Sequence, residues 1–453
     1  MSLSFPLYAA DFIVTTNIDI NSGACTASSC SLRDAILAAN TIAEPSTIQL
    51  PPGNHVITIA GSGEDASVTG DFDVTGDLTI IGAGRDVTGI NIMSPSEQII
   101  DVAAGGRLRL EHLSIGIGLR SGGFGGGDAA TTRVELFDVQ AGGIYGPGDT
   151  IVAKGNLLID HSSIYSGAFS NGQTAISLSD GEQLDITNST VDWRKVGLRI
   201  NLAATGSARV AKSFLSRIDY GPNACGSLSI TGGQHVRILG SQIDNGRSQS
   251  GLGSCISGVQ DVAVIDSTFK VDSSSNQAIF ISAATTTVRN STIAGSLAIG
   301  QGTTLLDQAT VGSNVSVFGD EPVSVARGAD AIVTVSNSAL IGMCSRSLVA
   351  LGNNVESPGN SCGLPAASSR VGQTYASLEL GTLASHTPPG AARVPDNYLP
   401  SAMSVLNRVF TRLGILRCQA TDQRGYVRAD VCTIGAVETD ASEQVLFRNG
   451  FDN

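Results

Sequence analysis

The sequence is poor in charge: Lys, Arg, Asp and Glu make up 15% of it, against roughly 25% in ordinary soluble domains. It has one Trp, four Met and five His in 453 residues. No run of about 18 apolar residues occurs, so no segment is a candidate spanning helix. No basic run occurs either, and the formal net charge is −13, which argues against a nucleic-acid partner, because phosphate binding needs clustered Lys and Arg. The eight cysteines form no C-x-x-C pair, and His55, His112, His161, His235 and His386 lie far apart. That pattern favours disulfides over zinc. By proximity the pairs are Cys25 with Cys30, Cys225 with Cys255, Cys344 with Cys362, and Cys418 with Cys432, one of 105 connectivities open to eight cysteines. An oxidising compartment follows. The opening MSLSFPLYAADF reads as a cloning remnant followed by the end of a cleaved leader.

What the chain does have is glycine, 54 residues, and 42% hydrophobic content, too apolar for a disordered chain. It also repeats a phrase. LLIDHSSI at 157, LDITNSTV at 184, VRILGSQI at 236 and VAVIDSTF at 262 share one template, apolar-x-apolar-x-x-Ser-x-apolar. Its first residues fall at Leu78, Leu108, Val134, Leu157, Leu184, Ala208, Val236, Val262, Thr286, Thr304 and Val333, a mean interval near 25. Such a period marks a solenoid, and alternation within the phrase marks strands. Asn188, Asn290 and Asn337, with Asp138 and Asp266 as substitutes, sit where the alternation breaks. Asn and Asp tolerate the left-handed conformation of a one-residue corner, so the N-x-S/T sites at Asn188 and Asn290 read as turns. Short strands precede most phrases: AISLS at 175, GLRIN at 197, SLSIT at 227, AIFIS at 278. Each coil therefore has three strands. The expectation is an all-β, single-stranded, right-handed parallel β-helix of about eleven or twelve coils, because one coil cannot bury its own apolar face.

A solenoid's open ends need covers. Residues 31 to 43, SLRDAILAANTIA, put Leu32, Ala35, Ile36 and Ala39 on one helical face after a capping box of Ser31 and Asp34. This predicts a helix plugging the first coil. The expected organisation is an N-terminal cap over 1–60, the β-helix over 61–345, a closing region with two disulfides over 346–440, and a tail over 441–453.

FIVTTNIDINSGACTASSCSLRDAILAAN resembles the CSLREA-type N-terminal domain of exported bacterial β-helix proteins, with Asp34 where Glu is usual. STIQLPPGNHVITI, GDFDVTGDLTIIGAG and the coils resemble the pectate lyase-like superfamily. GNNVESPGNSC and CQATDQRGYVRADVCTIGAVE resemble the C-terminal region of choice-of-anchor Q proteins, with Thr433 where Asp is usual. The resemblance implies a secreted or cell-surface protein, mainly of Gram-negative bacteria. It implies no single reaction, because fold and function separate here.

In that superfamily the active site lies on the first strand of each coil. The N-T-D, D-D, G-H-G and R-I-K signatures of polygalacturonase-like hydrolases are absent. The first-strand face reads Ile99 and Asp101, Val152 and Lys154, Ser177 and Ser179, Arg199 and Asn201, then Ser229 and Thr231, Cys255 and Ser257, Phe280 and Ser282. Lys154, Asp180 and Arg199 are its catalytic candidates. Tyr165, Trp193 and Tyr220 recur at the coil interval and, with Arg194, form a candidate glycan-binding ladder, since aromatic faces bind apolar sugar faces. Loop packing is the competing role for Trp193. The acidic stretch GEDASVTGDFDVTGD offers Asp71 and Asp73 to calcium, although turn-forming Asp explains it more simply. No other cofactor is implied. The sequence thus favours a monomeric β-helix that contacts a polysaccharide or surface matrix without a recognisable catalytic set. The alternative is a polysaccharide lyase or glycoside hydrolase acting on an acidic polysaccharide in the first-strand groove.

Overall fold

The computed structural model describes residues 10–93, 98–116, 118–142, 149–166, 174–193, 196–217, 225, 227–246, 252–271, 277–312, 323–387, 391–401, 403–407, 418–428 and 432–439. The chain divides into two compact units, Met1–Ala208 and Arg209–Asn453. Each is built of parallel ladders.

In the first unit the strands Ala10–Ile13, Ser46–Gln49, Asp77–Ile81, Arg107–Ile115, Arg133–Ala141, Ile151–Asp160 and Thr174–Thr187 pair in that order, all parallel. Their register stacks Leu78 on Leu108, Val134, Leu157 and Leu184, and Ile80 on Leu110, Leu136, Ile159 and Ile186. In the second unit Val236, Val262, Thr286, Thr304 and Val333 form the equivalent column. The repeated phrase is therefore one rung of a right-register parallel stack, and all these residues are buried. This is the all-β parallel β-helix architecture expected from the sequence.

The corners explain the middle of the phrase. His112, Asp138, His161, Asn188, Lys212, Asp266, Asn290, Gln308, Asn337 and Asn353 all have φ between 48° and 55°, the left-handed well that lets one residue turn the chain. The serine that follows the corner is buried and bonds in two directions. Ser267 Oγ donates to the Ile265 carbonyl (2.7 Å) and accepts the amide of Ser241 in the preceding coil (3.1 Å). Ser291 repeats both bonds, donating to the Arg289 carbonyl and accepting from Ser267 N. A serine column thus satisfies amides that the corner would otherwise leave unpaired.

Asp266 differs from its Asn neighbours in this column. The residue keeps some exposure, yet its Oδ1 is buried without a hydrogen-bond partner. Burial pushes its carboxyl up to about 6, against the opposing bond from Asn290. The folded state therefore holds a proton that the unfolded chain releases near pH 4, so stability falls as pH rises from about 4 to about 6. Asp266→Asn is expected to remove that slope and to raise stability at pH 8 by on the order of 1–2 kcal/mol. Urea midpoints at pH 4, 6 and 8 check this; parallel pH profiles for the two proteins would contradict it.

Each unit carries a polar cover. The first unit's helix is Leu32–Ala39, capped by Ser31, with the Ser31–Asp34 capping box formed. Asp34 also receives Ser22 N at 2.7 Å, so the shorter acid fits this cap. Arg33 is fully buried. It bonds Asp19 through Nε and an Nη (2.7 and 3.1 Å), the carbonyls of Ser67, Gly70 and Asp71, and lies 4.9 Å over the Phe72 ring.

In the second unit the C-terminal segment straps the third-strand ladder. Gln242, Thr268, Thr292 and Thr310 stack coil on coil and are buried. Asp396 N bonds Gln242, Gln423 bonds both Thr268 and Thr292, and Ala436 N bonds Thr310. Arg428 donates to the carbonyls of Thr433, Gly435 and Ala436 from a buried position. Thr433 Oγ1 and N both bond Glu438. The four cysteine pairs are disulfides, and no cysteine is free. Among the described residues no helix is long and apolar enough to cross a membrane. The tail over 441–453 lies outside the described residues.

Candidate functional site

The first-strand face of the first unit gathers most of the candidate chemistry. Strands Phe72–Val74, Ile100–Val102 and Leu119–Ser121 pair in parallel, and their register stacks Asp73 on Asp101 and Asp101 on Arg120. The column continues to Val152 and Ser177. The flanking Phe72, Val74, Ile100, Val102 and Leu119 point into the core, so alternation turns the central residues to the opposite face.

That face is covered at its start. Ser67 N donates to Asp73 Oδ2 at 2.7 Å, and Ser67 Oγ to the Asp73 carbonyl at 3.0 Å, folding the acidic Gly-rich loop over the strand. Asp71, Asp73 and Asp101 are 5%, 1% and 0% exposed. One carboxylate oxygen from each lies within 4.8 Å of the others. Burial pushes the Asp73 carboxyl up to about 7; the Ser67 amide opposes this, while Asp71, Glu64 and Asp101 reinforce it. Burial also raises Asp101, against the guanidinium of Arg120, whose Nε lies 2.7 Å from Oδ2. Asp71 and Asp73, expected mainly as turn residues, are thus joined by Asp101 and Arg120. Sequence spacing hid this pair, because the register that brings residue 101 over 73 depends on the length of the intervening coil.

Lys154 follows two residues after Val152 on the same face. It passes directly over Gly122, where a Cβ would come within 2.9 Å of the Lys154 Cβ. Lys154 pairs in register with Ser179 of the next coil, so Asp180 is one residue from its stacking partner. Asp180 is itself a corner, exposed and at φ 50°. Arg199 is exposed on Val196–Ala211, the strand that pairs with Thr174–Thr187. No carboxylate among the described residues pairs with Lys154 or Arg199.

No family model and no curated protein matches this chain. Among solved structures, the A-modules of the Azotobacter vinelandii mannuronan C-5 epimerases AlgE6 and AlgE4 are similar at 14% and 15% identity. They cover 76% and 75% of this chain and 94% of each of those chains. Pectate lyase Pel9A is similar at 13% identity over 96% of this chain and 97% of that one. The TM-score is 0.35 in every case, too low to carry residues across. The site stands on its own geometry.

Of the expected aromatic ladder, Tyr165 and Trp193 lie among the described residues, and Trp193 is not at the surface. Trp193 is 0% exposed; it closes the strand Thr190–Trp193 with its ring in the interior, which removes it as a sugar platform. Tyr165 is half-buried, and its ring lies where a Cβ on Gly142 would meet it at 2.8–2.9 Å. Arg194 and Tyr220 lie outside the described residues. Rings do stack from coil to coil elsewhere: Phe137 lies 5.5 Å from His112 and 5.7 Å from His161, edge-on in both cases. Each imidazole is oriented through Nδ1, by Asp138 at 2.8 Å and by Asp160 at 2.9 Å. The corner template locates these histidines, but reading corners only as Asn or Asp overlooks them.

Proposed function

We propose that this chain is an exported, surface-contacting β-helix that binds an acidic polysaccharide along the first-strand face of its first unit and leaves it chemically unchanged. The observation that carries this reading is the pair Lys154 and Arg199: cations that no carboxylate among the described residues pairs with, in a chain whose net charge is −13. The carboxylate cluster of Asp71, Asp73 and Asp101 is sealed, so it offers a substrate no acid or base directly. The disulfides suit an oxidising compartment, and the CSLREA-like residues serve the fold as a cap. The partner is a uronate-bearing or similarly acidic matrix polymer.

Exposed charge contacts contribute up to about 1 kcal/mol each. Replacing both Lys154 and Arg199 with Ala is expected to weaken binding of polyuronates about tenfold, and added salt is expected to weaken the wild type similarly. Affinity electrophoresis against acidic and neutral polysaccharides measures both. Unchanged retardation of the double variant would remove this reading. The lyase or hydrolase alternative assigns the same Lys154, Asp180 and Arg199 to catalysis. It predicts unsaturated or reducing-end products on incubation with the bound polymer, whereas the binding reading predicts none.

A further inference from the structure

We infer that Asp71, Asp73 and Asp101 form a structural calcium site that fastens the acidic loop of the first unit to its coils. This inference is independent of the polysaccharide reading. Asp73 and Asp101 come from two paired strands and are stacked in register, and Asp71 lies just ahead of the first strand, two residues before Asp73. Their donor oxygens converge within 4.8 Å. A calcium ion with oxygens at about 2.3–2.6 Å accommodates donors up to roughly 5 Å apart, whereas magnesium, at about 2.0–2.1 Å, requires closer ones. An all-oxygen, all-carboxylate donor set also selects a hard cation over zinc or copper.

A second observation, separate from the clustering, points to a ligand. Asp101 is fully buried, and its Oδ1 has no hydrogen-bond partner. Its other oxygen is held by Arg120, and Asp73 Oδ2 is held by Ser67 N, so these two carboxylates are oriented. Leaving a carboxylate oxygen buried and unpartnered costs free energy, and a cation bound at the cluster removes that cost. Arg120 supplies one positive charge to three carboxylates. The site's cover distinguishes it from a substrate-bridging metal: with all three residues at most 5% exposed, an ion there braces the loop and meets no polymer.

The test uses the full chain, stripped with a chelator and dialysed. Isothermal titration with calcium chloride should show one ion per chain. The thermal midpoint should rise by several degrees at a hundredfold excess over the dissociation constant, because a ligand bound only by the folded state stabilises it. Magnesium chloride at equal concentration should shift it far less. Asp73→Asn, which keeps the Arg120–Asp101 pair, and Asp101→Asn should each weaken calcium binding at least tenfold. Absence of heat and of any midpoint shift in the wild type would overturn the inference whether or not the variants fold. So would undiminished binding by a folded Asp73→Asn protein, which would place the ion on the acidic surface instead.

Discussion

Replacing Arg33 with Met is expected to destabilise the first unit by about 3–5 kcal/mol, the usual consequence of removing one partner from a buried ion pair. Arg33 has no exposed surface, and its partner Asp19 retains only 3% on its side chain. Burial alone pushes the Asp19 carboxyl up, but Arg33 and the amides of Ile59 and Thr58 outweigh it, holding the acid below its ordinary range. Met preserves the length of the side chain and its packing against Phe72. It leaves Asp19 charged and the carbonyls of Ser67, Gly70 and Asp71 without their donor. Adding Asp19→Asn should recover part of the loss, since a neutral amide is less costly to bury than an unpaired carboxylate. Urea unfolding of the single and double variants measures both. A loss under about 1 kcal/mol for the single variant would mean that water reaches the cage and satisfies Asp19 instead.

This cage shows where a linear reading stops. The helix Leu32–Ala39, its Ser31 cap and the Asp34 box were legible from spacing alone, because capping and amphipathic faces are local properties. The columns Leu78 to Leu184 and Val236 to Val333 were equally legible, since a period near 25 in strand-patterned sequence has one economical three-dimensional solution. The partners of Arg33 were not. They come from residue 19 and from residues 67 to 71, and nothing in the spacing of LRDA announces a loop folded back over it. The same holds for Thr268 and Thr292. They are buried, and Gln423, more than a hundred residues later, returns to bond them. In the candidate site, Lys154 and Arg199 were identified by alternation, while the convergence of Asp73, Asp101 and Arg120 required the register. Coil grammar thus fixes which way a residue faces. It leaves open what covers that face.

Trp193 is the sharpest instance, and its replacement by Ala carries the second large expected effect. Placed two residues beyond the inward Val191 on strand Thr190–Trp193, it continues the inward face, and both residues are 0% exposed. Alternation therefore buries it, although the charged DWRK context suggests a loop. Removing a fully buried indole leaves a cavity that neighbouring strands, held by ladders on both sides, cannot close. The expected cost is about 3–5 kcal/mol. Trp193→Phe keeps most of the volume and should cost less than half as much, helped by the fact that the indole Nε1 has no hydrogen-bond partner to lose. Since this is the only tryptophan, its fluorescence gives an independent check: blue-shifted emission with weak acrylamide quenching in the native protein, turning red and quenchable on unfolding. If polyuronate binding depends on Lys154 and Arg199, the Trp193→Phe protein should bind as the wild type does once folded. Red, readily quenched native emission, or a Trp193→Ala protein as stable as the wild type but weaker in binding, would return the ring to the surface and restore it as a sugar platform.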